Sequence, residues 1–470
     1  MADVAATSLA AQGDIALRVT ASRSTLAAWA LSGALMLLLL AAPALWNGFP
    51  FIFPDTGGYL TRPLEGTLHL GRSAFYGLFL DAGIPLAFWP IVVVQGVLTI
   101  WLIVLTLRAL GFGGRPWLAL GIVAMLSLAS SLPWLTGLLM PDIWFPAAVL
   151  SLYLLAFRWD TVAAWERFVL GGVIVFAVMS HMAAIGLCAG VLLAGWLFGR
   201  VARLGLPKPR LRFAAGAVAV GILLCPISNW AITGAFTFTP GGSSFLFGRL
   251  VEDGIISRYL DDRCPDAALR LCPYKAVVSD DDADGWLWES DSPFHKLGGW
   301  QGFGAEESKI ILATLERYPW LHVTAAVNDI FTQLISFQTE VSLEDNAPTI
   351  YDFRQWTPRL VPQLMSARQQ QGRIDVDALN RVHVPAAALA MAMVLGALMF
   401  RRRLKIMPEL AALCATVLLA LSVNATICSL LAHAVDRYQS RLTPLALLAA
   451  ALIVVGWWRT TRLGATSDLS

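Results

Sequence analysis

The chain has 470 residues, of which 57% are hydrophobic and 14% charged, with a formal net charge of +2. Soluble domains carry about 25% charged residues, so this composition excludes an ordinary soluble fold and points to an integral membrane protein. Its Lys and Arg residues lie in short clusters between apolar runs, which argues against a nucleic-acid surface.

In chain order, residues 1–24 form a polar lead before the first apolar run. That run is long enough to span a bilayer, so the N-terminus does not read as a cleavable signal peptide. Spanning-length apolar runs follow the pattern 25–46, 87–108, 116–132, 143–158, 213–233, 384–400, 408–431 and 442–458. The stretch 167–199 is too long for one span and is interrupted by "SHMAA", so it reads as two short helices meeting at Ser180-His181. The expectation is therefore an all-α polytopic membrane protein of about ten transmembrane helices.

Charge distribution supports that count. Arg18 and Arg23, Arg108 with Arg115, Arg158 with Arg167, "GRVARLGLPKPRLR" (199–212), "RRRLK" (401–405) and "WRTTR" (458–462) all fall on one side with ten spans. Positive clusters mark the cytoplasmic side, which also receives both termini. The plan is then a cytoplasmic tail (1–24), a seven-span module (25–233) with a first outer loop at 47–86, and an extracytoplasmic domain (234–383). Three C-terminal spans (384–458) and a cytoplasmic tail (459–470) complete it. The region 234–383 lacks long apolar runs and reads as a mostly helical domain between the seventh and eighth spans.

Four of the six cysteines, Cys188, Cys225, Cys414 and Cys428, lie in or beside apolar runs, where a thiol behaves as a small hydrophobe. Cys264 and Cys272, in "CPDAALRLC", lie in the outer domain, where an oxidising compartment favours a local disulfide.

Charged groups near a membrane core are functional candidates by default. Asp55 and Arg72 in the first outer loop, Asp142 in "LLMPDIWF", His181 at the helix interruption, and Asp436, Arg437 and Arg441 before the last span all come to one membrane face. Each also has a plainer reading. Asp55, after Pro54 and before Thr56-Gly57-Gly58, suits a turn or a helix cap, and Asp142 after Pro141 suits a cap. His181 suits a satisfied polar residue between helices, and Arg72, Arg437 and Arg441 suit interfacial anchors. The run "DDDADGWLWESD" places Asp280, Asp282, Asp284 and Asp291 at spacings of a calcium loop. It has Asp in place of the usual final Glu and no clear flanking amphipathic helices, so an acidic surface loop is the commoner form.

The stretch "FPDTGGYL" (53–60) followed by "GRSAFYGLFL" (71–80) resembles the first extracytoplasmic loop of the GT-C superfamily. These are multispanning glycosyltransferases that use polyprenyl-phosphate-linked sugars, and members often show an acidic residue and a Tyr-Leu pair in that loop. The counterparts here are Asp55, Tyr59-Leu60 and Arg72 through Phe79. The seven-span module followed by a large outer loop and further helices is also similar. The chain departs from the metal-dependent branches in having one acidic residue in the loop, so no cofactor is firmly implied and a divalent metal is doubtful. It also has Ser180-His181-Met182 where many members have an Arg-Pro-Glu-like turn.

The resemblance implies an enzyme of the bacterial inner membrane that moves a hexosyl or pentosyl group from a polyprenyl-phosphate donor to a lipid, glycan or protein acceptor. Asp55 would be the base that activates the acceptor hydroxyl. Arg437 and His181, then Arg72 and Arg441, would hold the lipid phosphate, with Asp436 beside them. Asp142 would orient the acceptor or sugar, or bind a metal with Asp55. Tyr59 and tryptophans such as Trp286, Trp288 and Trp300 would stack on sugar faces, although core packing is the commoner role for such rings. Two rival classes remain: a secondary transporter, disfavoured because 180–182 has no broken-helix partner in the second half, and a noncatalytic scaffold or sensor.

Overall fold

The computed structural model describes residues 23–66, 72–200, 205–238, 242–341 and 346–467. Most of the expected N-terminal tail, with Arg18, and Gly71 of the "GRSAFYGLFL" stretch lie outside the described residues. The regular structure of the described residues is helical, apart from one isolated bridge between Phe51 and Leu138.

The helices used below are α1 (Arg23–Asn47), α2 (Thr56–Glu65), α3 (Ala74–Asp81), α4 (Trp89–Ala109), α5 (Pro116–Ala129), α6 (Leu132–Gly137) and α7 (Trp144–Phe157). They continue as α8 (Ala164–Ser180), α9 (Met182–Phe198), α10 (Arg212–Thr233), α11 (Gly242–Glu252), α12 (Ile255–Arg263) and α13 (Gly304–Arg317). The last six are α14 (Pro319–Ile335), α15 (Ala347–Trp356), α16 (Val376–Met399), α17 (Pro408–Leu431), α18 (Asp436–Ser440) and α19 (Thr443–Ser467). Single-turn helices between them are left unnumbered.

Among the described residues, six segments are long and apolar enough to cross a membrane: Thr25–Asn47, Trp89–Ala109, Arg212–Thr233, Val376–Met399, Pro408–Leu431 and Asp436–Arg459. Pro116–Ala129, Pro141–Phe157 and Met182–Phe198 are apolar but shorter. At about 1.5 Å per residue, a helix of α5's length falls short of a hydrocarbon core about 30 Å thick. The chain thus has the architecture of a polytopic membrane protein, and among the described residues fewer helices reach spanning length than the apolar runs suggest. The interruption expected at Ser180-His181 falls at His181, whose extended backbone (φ −154°, ψ 132°) separates α8 from α9.

Among the described residues, the basic clusters gather at one end of the bundle. There Arg108 pairs with Glu166, Arg158 with Glu409 and Arg210 with Asp160, while Arg459 donates to the Gly111 carbonyl. The opposite end carries α2, α3, the α8–α9 break and α18.

The region 234–383 divides into two parts with different cores. Phe247, Leu250, Ile256, Trp286, Phe294, Phe303 and Ile310 close a small separate core under α11, α12 and α13. The Cys264–Cys272 disulfide lies within this part. Beyond it, Phe337, Val341, Phe353 and Leu364 pack into the main core of the bundle. Helix α14 runs along α17 and leaves Trp320, Val327, Phe331 and Ile335 exposed along one side, the arrangement of a helix facing lipid.

Candidate functional site

The site begins with how the first loop is held. After α1 the chain runs extended beside residues 137–139, with the Phe51 N–H donating to the Gly137 carbonyl and the Leu139 N–H to the Phe51 carbonyl, both at 2.9 Å. This pairing sets Asp55 beside Asp142, although the two stand 87 positions apart in the sequence. The Gln369 amide clamps the same strand by accepting from the Ile52 N–H at 3.1 Å and donating to its carbonyl at 2.7 Å.

The "PDTGG" turn is gripped by α15. Thr349 donates its hydroxyl to the Pro54 carbonyl at 2.7 Å and accepts from the Gly57 N–H at 3.1 Å. A Cβ at Gly57 would run into the Asp352 carboxylate and come within 2.8 Å of the Thr349 backbone. Glycine is therefore required at position 57 by the close approach of another backbone.

Asp55 precedes α2 but its side chain makes no capping hydrogen bond; the turn is closed by Thr56, whose hydroxyl accepts from the Phe53 N–H at 2.9 Å. Asp142 likewise caps nothing. Both carboxylates instead belong to one chain of ion pairs.

Arg72 binds one oxygen of Asp55, and Arg437 reaches the other with Nη1 at 3.4 Å. Arg437 also donates to both oxygens of Asp142, from Nε at 3.1 Å and Nη2 at 3.0 Å. Arg441 ends the series, with Nη1 3.5 Å from Asp142 and Nη2 donating to Asn424 at 3.0 Å. Three guanidinium groups against two carboxylates leave the series at net +1. Buried charges persist only when paired in this way.

Exposure falls steeply along the series. The Asp55 side chain is 28% exposed and Arg72 17%, whereas Arg437 is 8% and Asp142 and Arg441 are 0% exposed. Asp55 is the carboxylate within reach of a ligand. Burial opposes its charge, but Arg72 and Arg437 outweigh that and hold its carboxyl below the usual range.

Local packing fixes each cation. Ser73 caps α3 and donates to the Met179 carbonyl at 2.5 Å, which ties neighbouring Arg72 to the end of α8. Asn424 donates to the Tyr438 carbonyl at 2.7 Å and Ser131 to the Ser440 carbonyl at 2.8 Å, which together seat α18. The guanidinium of Arg437 lies 4.2 Å from the Phe53 ring centre, and that of Arg441 lies 3.5 Å from Phe145.

His181 sits against Phe145 and feels the charges of Arg441, Asp142, Arg437 and Asp55. Its Nδ1 accepts the Ala183 N–H at 3.1 Å, capping α9. The neutral ring therefore carries its proton on Nε2, as a donor.

Several expected contributors lie elsewhere. Tyr59 is 1% exposed, with its ring against Tyr76, so it does not meet a sugar face. Arg441 and Asp142 are fully buried and pair within the series, Asp142 with both Arg437 and Arg441. Asp436 turns to the Gln338 N–H, accepting at 2.7 Å. Trp286 is in the core of the outer part and Trp300 packs on Phe294. Trp288, 47% exposed, stays near the site with the Arg72 guanidinium 5.3 Å from its ring.

The acidic run 280–291 does not fold as a calcium loop. Asp282 caps the helix Ala283–Trp288 by accepting from the Gly285 N–H at 2.7 Å, and Asp284 pairs with His433 at 3.5 Å. Among the described residues no group of three or more His, Cys, Asp or Glu side chains is arranged to hold a metal ion. The same helix instead roofs the site: Trp288 meets Arg72, and Asp284 lies close enough to sense Asp55.

One further residue escaped the sequence reading. Arg62, on α2, is 0% exposed, and its three guanidinium nitrogens have no hydrogen-bond partner among the described residues. It is close enough to Tyr59 and Arg72 to feel both. A buried cation without an acceptor is costly, and at a functional site it points to an anion. The only signal in the sequence was an arginine seven residues after Asp55.

Fold and site together define a polytopic helical membrane protein with a preorganised, net-positive ion-pair series at one end of its bundle. Neither family models, nor curated proteins, nor solved structures match the chain.

Proposed function

We propose that the protein is a membrane glycosyltransferase of GT-C-like plan, moving a sugar from a polyprenyl-phosphate donor to an extracytoplasmic acceptor. The observation that carries this reading is Asp55, the accessible carboxylate of a series whose other members are cations or buried. The basic end of the bundle is then cytoplasmic, with both termini, and the shorter apolar helices complete ten spans. The resemblance of "FPDTGGYL" to the GT-C first loop agrees with this placement.

The chemistry asks for little more than the site holds. The acceptor oxygen attacks the anomeric carbon from the face opposite the phosphate, while Asp55 takes the hydroxyl proton. The bond from the anomeric carbon to the phosphate oxygen breaks, and its electron pair stays on the phosphate. A phosphate ester leaves readily and needs cations and donors in preference to an acid. Arg437 Nη1, whose contact to Asp55 is long at 3.4 Å, is free to shift to a phosphate oxygen. Arg72, Arg62 and the Nε2–H of His181 add charge and a neutral donor. Asp142 keeps Arg437 oriented. A single displacement of this kind inverts the anomeric configuration.

The test is direct. Purified protein is incubated with polyprenyl-phosphate sugars and a lipid-extract acceptor pool, and the product linkage is assigned by NMR. Release of polyprenyl phosphate with inversion at the anomeric carbon supports the reading. Retention of configuration contradicts the single displacement.

A further inference from the structure

At the basic end of the bundle, far along the helices from Asp55, lies a concavity of about 1200 Å³ between α7 and α9 on one side and α16 and α17 on the other. Small-molecule sites usually span about 300–1,000 Å³, so this space suits something larger. Its walls are apolar, built from residues such as Leu152, Phe157, Val191, Leu192, Leu398 and Leu419. Its rim is basic: Arg200, Lys208, Arg401, Arg402 and Arg403 all line it, and no acidic side chain does among the described residues. None of these five cations forms an ion pair among the described residues.

Elsewhere at this end the cations are used locally. Arg158 pairs with Glu409 and Arg210 with Asp160. The five at the rim differ in facing an oily cavity with no ion-pair partner among the described residues. Arg200 lies flat on Trp196, its guanidinium 3.6 Å from the ring centre, which holds it at the rim. Apolar walls and a basic mouth at the level of the helix ends match one kind of molecule, a two-chain lipid with an anionic headgroup.

We propose that this groove binds an anionic phospholipid from the leaflet at the basic end, its acyl chains against the α7, α9, α16 and α17 walls and its phosphate at the five cations. The proposal is independent of the glycosyltransferase reading, since it concerns the opposite end of the molecule. Bound there, the lipid bridges α7 and α9 to α16 and α17, so it stabilises the assembled bundle by binding only the folded form.

The test uses the full chain in a neutral detergent, titrated with phosphatidylglycerol, phosphatidylcholine or soluble glycerol phosphate, and read by native mass spectrometry and thermal unfolding. Phosphatidylglycerol is expected to remain as a one-to-one adduct and to raise the unfolding temperature, whereas the other two do neither. Arg402→Gln/Arg403→Gln, at two exposed positions, is expected to weaken phosphatidylglycerol binding about tenfold or more. The charge-matched pair Arg115→Gln/Arg459→Gln, at the same end but outside the groove, is expected to leave binding unchanged. Leu192→Trp, which fills the apolar wall, is expected to lower adduct retention without removing charge. Equal binding of phosphatidylcholine overturns the proposal, as does protection by glycerol phosphate alone. Equal loss in the two arginine pairs reduces the effect to general surface charge and also overturns it.

Discussion

Arg437 holds Asp142 through two nitrogens, at 3.1 and 3.0 Å, and reaches Asp55 with the third at 3.4 Å. One guanidinium therefore joins a fully buried carboxylate to a partly exposed one. The tight side fixes the cation, and the loose side is where a ligand can compete.

This asymmetry makes Arg437→Lys a demanding substitution. Lysine keeps the charge but cannot form the planar two-point contact with Asp142. Sugar transfer is expected to fall at least about tenfold in Arg437→Lys with protein levels maintained. Arg437→Gln leaves Asp142 with Arg441 alone, and losing one partner of a buried pair costs about 3–5 kcal/mol. Thermal unfolding in detergent measures the difference, and unchanged stability in Arg437→Gln speaks against a buried, charged Asp142.

Gly57→Ala tests the clamp between α2 and α15. The added methyl meets the Asp352 carboxylate and the Thr349 backbone, and overpacking of this kind costs about 1–3 kcal/mol. Lower thermal stability and faster proteolysis between 346 and 367 are expected. Gly58→Ala, whose Cβ would sit at 3.4 Å from the flexible Arg72 side chain, is expected to be milder.

Arg62 invites the opposite outcome. Its guanidinium is buried with no acceptor among the described residues, so Arg62→Met removes an unsatisfied cation while nearly keeping volume. The ligand-free protein is expected to become more stable, and donor binding about tenfold weaker. A variant that is both less stable and unimpaired in binding removes Arg62 from the site.

The roof over the site depends on pH. His433 is opposed by burial, yet its pairing with Asp284 raises its proton affinity above the usual value. Asp284 is held below the usual carboxylate range, chiefly by its hydrogen bond with His433. The sign follows from linkage. The contribution of His433 is complete below its ordinary value near 6.5 and is lost as pH rises through the raised one. That of Asp284 is present above about 4 and is lost as pH falls through the lowered one. The contact is strongest between those limits, and small, because the Asp284 side chain is 64% exposed. Hydrogen exchange across 283–288 is expected to speed up from pH 6 to pH 8 beyond the intrinsic rise in wild type, and not in Asp284→Asn.

Much of this was legible in the sequence. Apolar run length and arginine clustering set out a helical membrane protein with one basic end, and of the lone charges near the other end Asp55, Arg72, Asp142, Arg437 and Arg441 meet there while Asp436 turns away. "SHMAA" marked the α8–α9 break because a histidine between apolar helices disrupts the run. What stayed hidden depends on contacts distant in sequence. Gly57 is explained by Thr349, 292 positions later, and Asp142 by Arg437, 295 positions later. Tyr59 read as a sugar platform because its Tyr76 partner was out of view. The acidic run matched a calcium loop by spacing alone, whereas Asp282 and Asp284 are occupied by a helix cap and His433. Helix lengths were overestimated where apolar composition runs on past the end of α5 into the separate turn of α6.

The central claim is that Asp55 is the base, and Asp55→Asn keeps the size of the side chain while removing the carboxylate that takes the proton, together with its ion pairs to Arg72 and Arg437. Membranes containing wild type or Asp55→Asn at equal levels are given a labelled polyprenyl-phosphate sugar, and labelled product is counted. The account predicts transfer by the wild type and a loss of about 10²–10⁴-fold in the variant, with the variant still folded at the assay temperature although its unfolding temperature falls with the lost ion pairs. Equal transfer by both proteins would contradict it and return "FPDTGG" to a structural turn.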